Sequence, residues 1–421
     1  GCGLLLMQSN GGLAWANELQ RKPVYGLAAG PIGGVVGVQK LARAESQPNV
    51  VCTDMGGTSF DAGLIIDGQP IFSSQSIIER HRIQVPSIEV TSIGAGGGSI
   101  ATVDELTGEL HVGPRSAGSS PGPVCYGNGG IEPTVTDANV VLGRIDPRSF
   151  WGGRRELDWH AAVESIQQRI AEPLGIDYQS AAAGIIDIVD ARMADLLRTM
   201  TIATGRDPRD FVLYAYGGAG PFHVGSYASQ LGASLIVVPL CAPVQSAFGI
   251  ATGNFSRHLS QSQPMKEPYD SESIDNVIEQ LISQARRDWE SAGLDPNLAT
   301  YQTSVDMRFS YQVHEIRVPI EAGAGQIGII DGFVDKYEDS FGSGAAFRSA
   351  GTEILTFHLV STLPAANYEH SIRSAEGRPT PSSGKLRKRD VFFEGQMVPT
   401  PVRNFTDLRP DESIEGPVII E

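Results

Sequence analysis

The sequence predicts an α/β protein in two parts, and three observations carry that prediction. Residues 49–68, NVVCTDMGGTSFDAGLIIDG, read as strand, glycine turn, strand, then a second turn at Asp67 and Gly68. Residues 211–231 read as strand, glycine corner and helix, with Pro221 at the helix start and Gly232 after its end. Past about residue 260 the glycine clusters stop, and an amphipathic helix with alternating strands takes over. The boundaries drawn from this are a first domain at residues 1–260 and a smaller mixed α+β domain at 261–421.

The first stretch carries the chemistry. Asp54 is a lone acid in an apolar strand, followed by Gly56, Gly57, Thr58 and Ser59, with Asp61 closing the turn. A glycine pair lets backbone amides approach a bulky anion, and the two hydroxyls can donate to phosphate oxygens. A carboxylate beside a phosphate repels it unless a divalent cation or a water stands between. The pattern fits a magnesium-nucleotide site. The plain alternative is a polar hairpin with an ordinary glycine turn. The corner at Gly217, Gly218, Ala219 and Gly220 is a second place to seat a nucleotide against backbone amides. The two corners are expected to face each other across a nucleotide-sized gap.

Composition narrows the classes. A chain of 421 residues has room for two or three cores. A net charge of −16 argues against a general nucleic-acid or membrane-surface role. No apolar run reaches bilayer length, and the first ten residues lack the features of a secretory leader. Cys2, Cys52, Cys125 and Cys241 have no paired metal spacing and read as buried free thiols in a reducing cytoplasm. The glycines cluster in the first 260 residues between apolar runs, as expected of backbone wrapped around a ligand.

The remaining elements follow in order. Residues 4–7 form a strand and 8–12 a turn, so the chain opens inside a core strand and residues are expected upstream. Gly30 and Pro31 start a helix whose Gly33 and Gly37 share one face, for close packing or, at its N-terminus, for a phosphate. Residues 84–93 read as a strand. It leads into residues 94–98, a bulged loop passing close to another backbone, or a wall of the ligand cleft. Residues 113–130 read as loop, flap or linker. Asp137 and Asn139 either cap a helix or reach the cleft. Asp158 caps a helix over 158–174, and residues 180–204 form a buried central helix. His223, in the first turn after the glycine corner, is structural or catalytic. A strand at 235–238 and a helix at 246–253 close the first domain. Ser273 caps the amphipathic helix of the second, whose strands lie at 314–320 and 353–360, and residues 385–389 read as a basic, solvated loop.

Taken together, seven ordered motifs carry a resemblance. They are MQSNGG at Met7, GPIGGVVG at Gly30, TDMGGTSFD at Thr53, SIGAGGGSI at Ser92, VGPRSAGSSPGPVCYGNGG at Val112, EPTVTDANVVLGR at Glu132 and YGGAGPFH at Tyr216. The sequence resembles the hydantoinase A / 5-oxoprolinase family, which includes matching subunits of acetone and acetophenone carboxylases. That resemblance implies an actin-like ATPase fold, in which two ribonuclease-H-like lobes hold ATP between them. It implies that Asp54, Gly56, Gly57, Thr58 and Ser59 form the second phosphate loop, with Asp54 holding Mg²⁺ or orienting a water. Gly217, Gly218, Ala219 and Gly220 correspond to the adenosine loop.

Departures from the family pattern are equally definite. The first phosphate hairpin, of the type Asp-x-Gly-Gly-Thr, is absent here, so the resemblance implies an upstream lobe that this chain lacks. The family also continues past residue 421. In Ser310-Tyr311-Gln312-Val313-His314-Glu315 the family commonly has Gly-Gln before the strand, and here Tyr311 stands in the glycine's place. The implied activity is ATP-dependent activation of a small-molecule carbonyl, as the A-type subunit of a cyclic amide hydrolase working with a B-type partner in a hetero-oligomer. The alternatives are the ATP-using subunit of a ketone carboxylase, or a non-catalytic nucleotide-binding assembly subunit.

Overall fold

Val50–Met55 (β1) forms because six consecutive residues suit a doubly covered strand; five are buried and Asp54 alone is part exposed. The computed structural model that shows this describes residues 4–73, 76–78, 81–83, 85–321, 323–364, 387–409 and 412–421. Phe60–Ile66 (β2) returns antiparallel, with Met55 opposite Phe60, and Val90–Ile93 (β3) pairs antiparallel with β2. Val212–Tyr216 (β4) lies parallel to β1, with Tyr216 opposite Asp54, and Ile236–Val237 (β5) lies parallel to β4. The sheet order is β3-β2-β1-β4-β5. Parallel neighbours require long crossovers, and the chain between β3 and β4 supplies helices for one.

This sheet belongs to a unit made of Gly30–Phe72, Ile88–Gly249 and the described residues of Tyr368–Glu421. Its helices include Ala29–Ala44 (α1), Val135–Val141 (α2), Tyr178–Ala203 (α3), Gly220–Leu231 (α4) and Gln245–Thr252 (α5). Thr134 and Asp137 close a reciprocal capping box on α2. The helix expected over 158–174 runs as Trp159–Ile166 and then widens into a π turn at Gln167–Ala171. Pro173 lies just beyond and has no N–H to continue the regular ladder. Gly33 and Gly37 serve helix packing: a Cβ on Gly249 of α5 would fall 1.7 Å from the Gly33 carbonyl. The hydrophobic core gathers Val51, Phe60, Leu64, Ile185, Val189, Leu213 and Tyr227 among others.

The basic run at 385–389 is not a loop where it is described. Residues 385 and 386 lie outside the described residues, and the rest opens a strand, Arg387–Phe393, paired with Gln396–Arg403. Arg387 and Lys388 are exposed as expected, but Arg389 is largely covered and ion-pairs with Glu421 at 2.7 Å and Asp146 at 3.7 Å, so two acids at the surface share its charge with solvent. Phe392 N–H donates to the Leu142 carbonyl at 2.9 Å, which ties this hairpin to the end of α2.

The second unit combines Gly1–Ala29, Ser73–Ser87 and Ile250–Asn367, of which only the residues given above are described. Its sheet runs Leu5–Met7, Leu13–Trp15, Phe255–Lys266, Thr352–Leu363, Thr300–Phe309, Ile316–Ile320. The helix Ser271–Ser291 buries Ile274, Val277, Ile278, Leu281, Ala285 and Trp289 on one stripe, as the periodicity requires. Its cap is Asp270 rather than Ser273; the Asp270 carboxylate accepts the Glu272 amide, and Ser273 donates to the same carboxylate. The residue-84 end of the predicted strand lies outside the described residues, and the rest is broken into Ser87–Ile88 and Val90–Ile93. Among the described residues no helix is long and apolar enough to cross a membrane.

Tyr311 sits at φ +71° with 97 % of its surface exposed. This left-handed conformation suits glycine, and a side chain there costs about 1–2 kcal/mol. The ring gains no packing in return. Tyr311→Gly is therefore expected to stabilise the protein by about 1 kcal/mol, read as a higher thermal midpoint in calorimetry; an unchanged or lower midpoint would show that the turn is unstrained.

Candidate functional site

Because β1 and β4 are parallel neighbours, they end on the same edge, and both glycine corners leave from that edge. After Met55 the chain turns over residues 56–59, with the Gly56 N–H donating to the Ser59 carbonyl at 3.0 Å. After Tyr216 it turns at Gly217, φ +82°. The Ala219 amide donates to the Met55 carbonyl at 2.9 Å, and a Cβ on residue 217 would stand 2.3 Å from Asp54 Oδ1. Only glycine admits both that φ and that approach. The corners thus touch each other and do not face across a gap, since adjacent strands are only about 4.8 Å apart. Beyond the contact the site opens: an added Cβ at Gly56, Gly57 or Gly218 would meet nothing within 4 Å. Gly57 and Thr58 are exposed, and among the described residues their amides have no acceptor.

A third glycine segment rides on the first corner. The Gly97 amide donates to the Gly56 carbonyl at 3.0 Å and the Gly98 amide to the Gly57 carbonyl at 2.6 Å. A Cβ on Gly96 would stand 2.6 Å from the Thr58 nitrogen. Residues 94–98 therefore hold the turn at 56–58 from behind by backbone contacts that side chains would prevent.

The acidic groups are paired by register. Asp61 lies directly opposite Asp54 across the β1–β2 ladder, so both carboxyls belong to one face. Ser59 Oγ donates to Asp61 Oδ2 at 3.0 Å, so this hydroxyl is engaged within the turn. Ser246 Oγ donates to Asp54 Oδ2 at 3.2 Å. Burial raises the Asp54 pKa above its ordinary value; the Ser246 hydrogen bond opposes that and the Asp61 charge adds to it. Sequence spacing linked Asp54 to Gly56, Gly57, Thr58 and Ser59. It did not reveal Ser246, which lies 192 positions away.

Residues 1–258 match the family model described as hydantoinase/oxoprolinase, and residues 262–421 match the hydantoinase/oxoprolinase C-terminal domain. The chain belongs to the hydantoinase/oxoprolinase family. It is 34 % identical to the caprolactamase subunit alpha of Pseudomonas jessenii, over 98 % of this chain and 60 % of that protein. It is 35 % identical to the acetophenone carboxylase gamma subunit of Aromatoleum aromaticum, over 93 % of this chain and 55 % of that protein. The solved nucleotide-free structure of acetone carboxylase superposes with a TM-score of 0.83 at 28 % identity, covering 100 % of this chain and 61 % of that one. The chain thus spans about 60 % of the length of such relatives.

Other polar motifs of this family member prove structural. His223 is fully buried; Asn139 Nδ2 donates to its Nε2 at 3.0 Å, which leaves the proton on Nδ1 to donate to Asp190 at 2.7 Å. Asn139 also donates to the Val135 carbonyl at 3.1 Å. Asp137 accepts the Val124, Cys125 and Thr134 amides at 3.1, 2.7 and 2.8 Å, so it is a cap. The turn in MQSNGG packs tightly, with Asn10 Oδ1 accepting the Gly12 amide at 2.8 Å. It forms part of the wall of a cavity of about 680 Å³ in the second unit, lined also by Trp15, Glu18, Tyr25 and Arg257. None of the predicted site residues lines that cavity.

Removing the acid beneath the second corner leaves the His223 ring with a buried, unmatched donor. Asp190→Ala is expected to destabilise the protein by about 2–3 kcal/mol, measured by urea denaturation. A loss below the scatter of surface substitutions would mean the pair contributes nothing to stability.

Proposed function

We propose that this chain is the nucleotide-using part of an ATP-dependent enzyme that activates a carbonyl by phosphoryl transfer. The observation that carries the reading is the shared edge: a carboxylate, two amides with no acceptor among the described residues, and two glycine corners at the ends of adjacent parallel strands. The sheet order β3-β2-β1-β4-β5, with β2 alone reversed, supports a ribonuclease-H-like lobe of the actin-like ATPase kind. In this reading an upstream lobe with the first phosphate hairpin forms the other wall of the nucleotide site.

The residues fit the group. Open space at Gly56, Gly57 and Gly218 admits a bulky ligand, and among the described residues the Gly57 and Thr58 amides are donors without partners. Among the described residues no three-ligand metal cluster exists. Mg²⁺ suits such a place, since it binds through one or two carboxylates and takes its other ligands from phosphate and water. Asp54 would hold Mg²⁺ or orient a water, with Asp61 beside it. The Gly56, Gly57 and Thr58 corner would bind the β- or γ-phosphate, and Ser59 would steady Asp61. Gly217, Gly218, Ala219 and Gly220 would seat the adenosine. Bound Mg-ATP supplies a phosphoryl group that turns an amide or enol oxygen into a good leaving group. The fixed amides stabilise charge without reorganising, because their directions are set by the strand ends.

Within this reading we assign the chain to the A-type subunit of a hydantoinase/oxoprolinase-like cyclic amide hydrolase, joined to a B-type partner in a hetero-oligomer. The match to a caprolactamase subunit alpha supports this. The matches to acetophenone and acetone carboxylase proteins favour a second reading, the ATP-using subunit of a ketone carboxylase. Both need the same activation, so the substrate separates them.

In the complete enzyme, Asp54→Asn is expected to reduce ADP formation with a cyclic amide by about 100-fold or more. Intact turnover would remove Asp54 from the chemistry. ADP formation that requires bicarbonate and a ketone, with none on a lactam, would select the carboxylase reading.

A further inference from the structure

The segment after β5 is absent from every motif described above, yet it touches both corners. The Ala242 carbonyl accepts the Gly217 amide at 2.9 Å, and Ser246 in the first turn of α5 donates to Asp54 Oδ2 at 3.2 Å. We infer that Ser246 is a positioning residue for Asp54, and that residues 241–246 form a third corner of the nucleotide site. The inference rests on the reading of Asp54 and the glycine corners given under Proposed function.

Three observations support it. First, the Asp54 carboxylate is confined on both sides. Ser246 holds Oδ2, while Oδ1 lies against the Gly217 backbone so closely that a Cβ there would be 2.3 Å away. Second, Asp54 faces a like charge. Asp61 is its direct cross-strand neighbour, an arrangement that pushes the two side chains apart. Each acid is tied by a serine hydroxyl, Asp61 by Ser59 at 3.0 Å and Asp54 by Ser246 at 3.2 Å. Without Ser246, only Asp54 of the pair would be released to swing away.

Third, the serine itself stands on a rigid base. Gln245 is 1 % exposed, and its Oε1 accepts from Cys241 Sγ at 2.9 Å, closing the segment on itself. One turn further along α5, Gly249 presses on α1 at Gly33 and Gly37 without room for a Cβ. A hydroxyl held in this way fixes the carboxylate before a nucleotide arrives, which lowers the ordering cost of binding.

The test uses the full-length protein and ADP, by titration calorimetry with and without magnesium, on Ser246→Ala, Ser246→Thr and Asp54→Asn. Ser246→Ala is expected to weaken magnesium-dependent ADP binding about five- to tenfold, with magnesium-free binding unchanged. Ser246→Thr, which keeps the hydroxyl, is expected to stay within about twofold of the parent. If Ser246→Ala unfolds the protein, Ser246→Val against Ser246→Thr makes the same comparison between side chains of one shape. Equal magnesium-dependent binding by Val and Thr variants, or by Ala and parent, overturns the inference. If Asp54→Asn weakens binding in that case, the nucleotide site stands and Ser246 alone is excluded. If Asp54→Asn is also without effect, the site reading fails together with the inference.

Discussion

Val50–Met55 and Val212–Tyr216 pair in parallel with Asp54 opposite Tyr216, and the arrangement of the candidate site depends on that register. Parallel pairing brings two strand ends to one edge, so two chain segments separated by about 160 residues turn away from the sheet side by side. A slip by one residue would point Asp54 to the other face of the sheet. The register is secured by burial: Val50, Val51, Cys52 and Met55 on one strand, and Leu213, Tyr214, Ala215 and Tyr216 on the other, are all inside.

The corners themselves are held by backbone rather than by side chains. Met55 carbonyl to Ala219 amide, Ala242 carbonyl to Gly217 amide, and the Gly56 and Gly57 carbonyls to Gly97 and Gly98 amides form a continuous set of contacts around the edge. Such contacts need glycine where backbones meet, which accounts for the clusters more directly than ligand access does. The outer surface of the turn is left open, and among the described residues the Gly57 and Thr58 amides there have no acceptor. Beneath the second corner, Asn139, His223 and Asp190 bind α2, α4 and α3 to one another in the interior. Polar groups there form a fixed scaffold, because each buried donor that lost its partner would be costly.

Much of this was legible in the chain. The apolar run before Gly56, the run before Gly217 and the stripe from Ile274 to Trp289 each read correctly, because burial imposes a period that a sequence displays. Local caps read less well. Asp270 and Ser273 both suit a helix start, and the choice between them rests on which side-chain oxygen reaches a free amide of the first turn. The strands Phe255–Lys266 and Thr300–Phe309 are less legible because Ser, Gln, Thr and charged residues outnumber apolar ones along them, and Pro264 interrupts the first near an irregularity in register. Arg387 and Lys388 are exposed as read, but the pairing of Arg389 stayed hidden because its acidic partners, Asp146 and Glu421, lie far away in the chain.

The residues alone determined the two glycine corners, the lone acid ahead of the first, and the family they announce, since each is a local pattern of residue type and spacing. Tertiary structure decided how those corners meet. It set them in contact on one edge, placed Asp61 across from Asp54, directed His223 inward and brought Ser246 to the carboxylate. The physical reason is that strand pairing and helix packing join positions without regard to their separation along the chain, and a hydrogen bond between distant residues leaves no periodicity for a sequence to show.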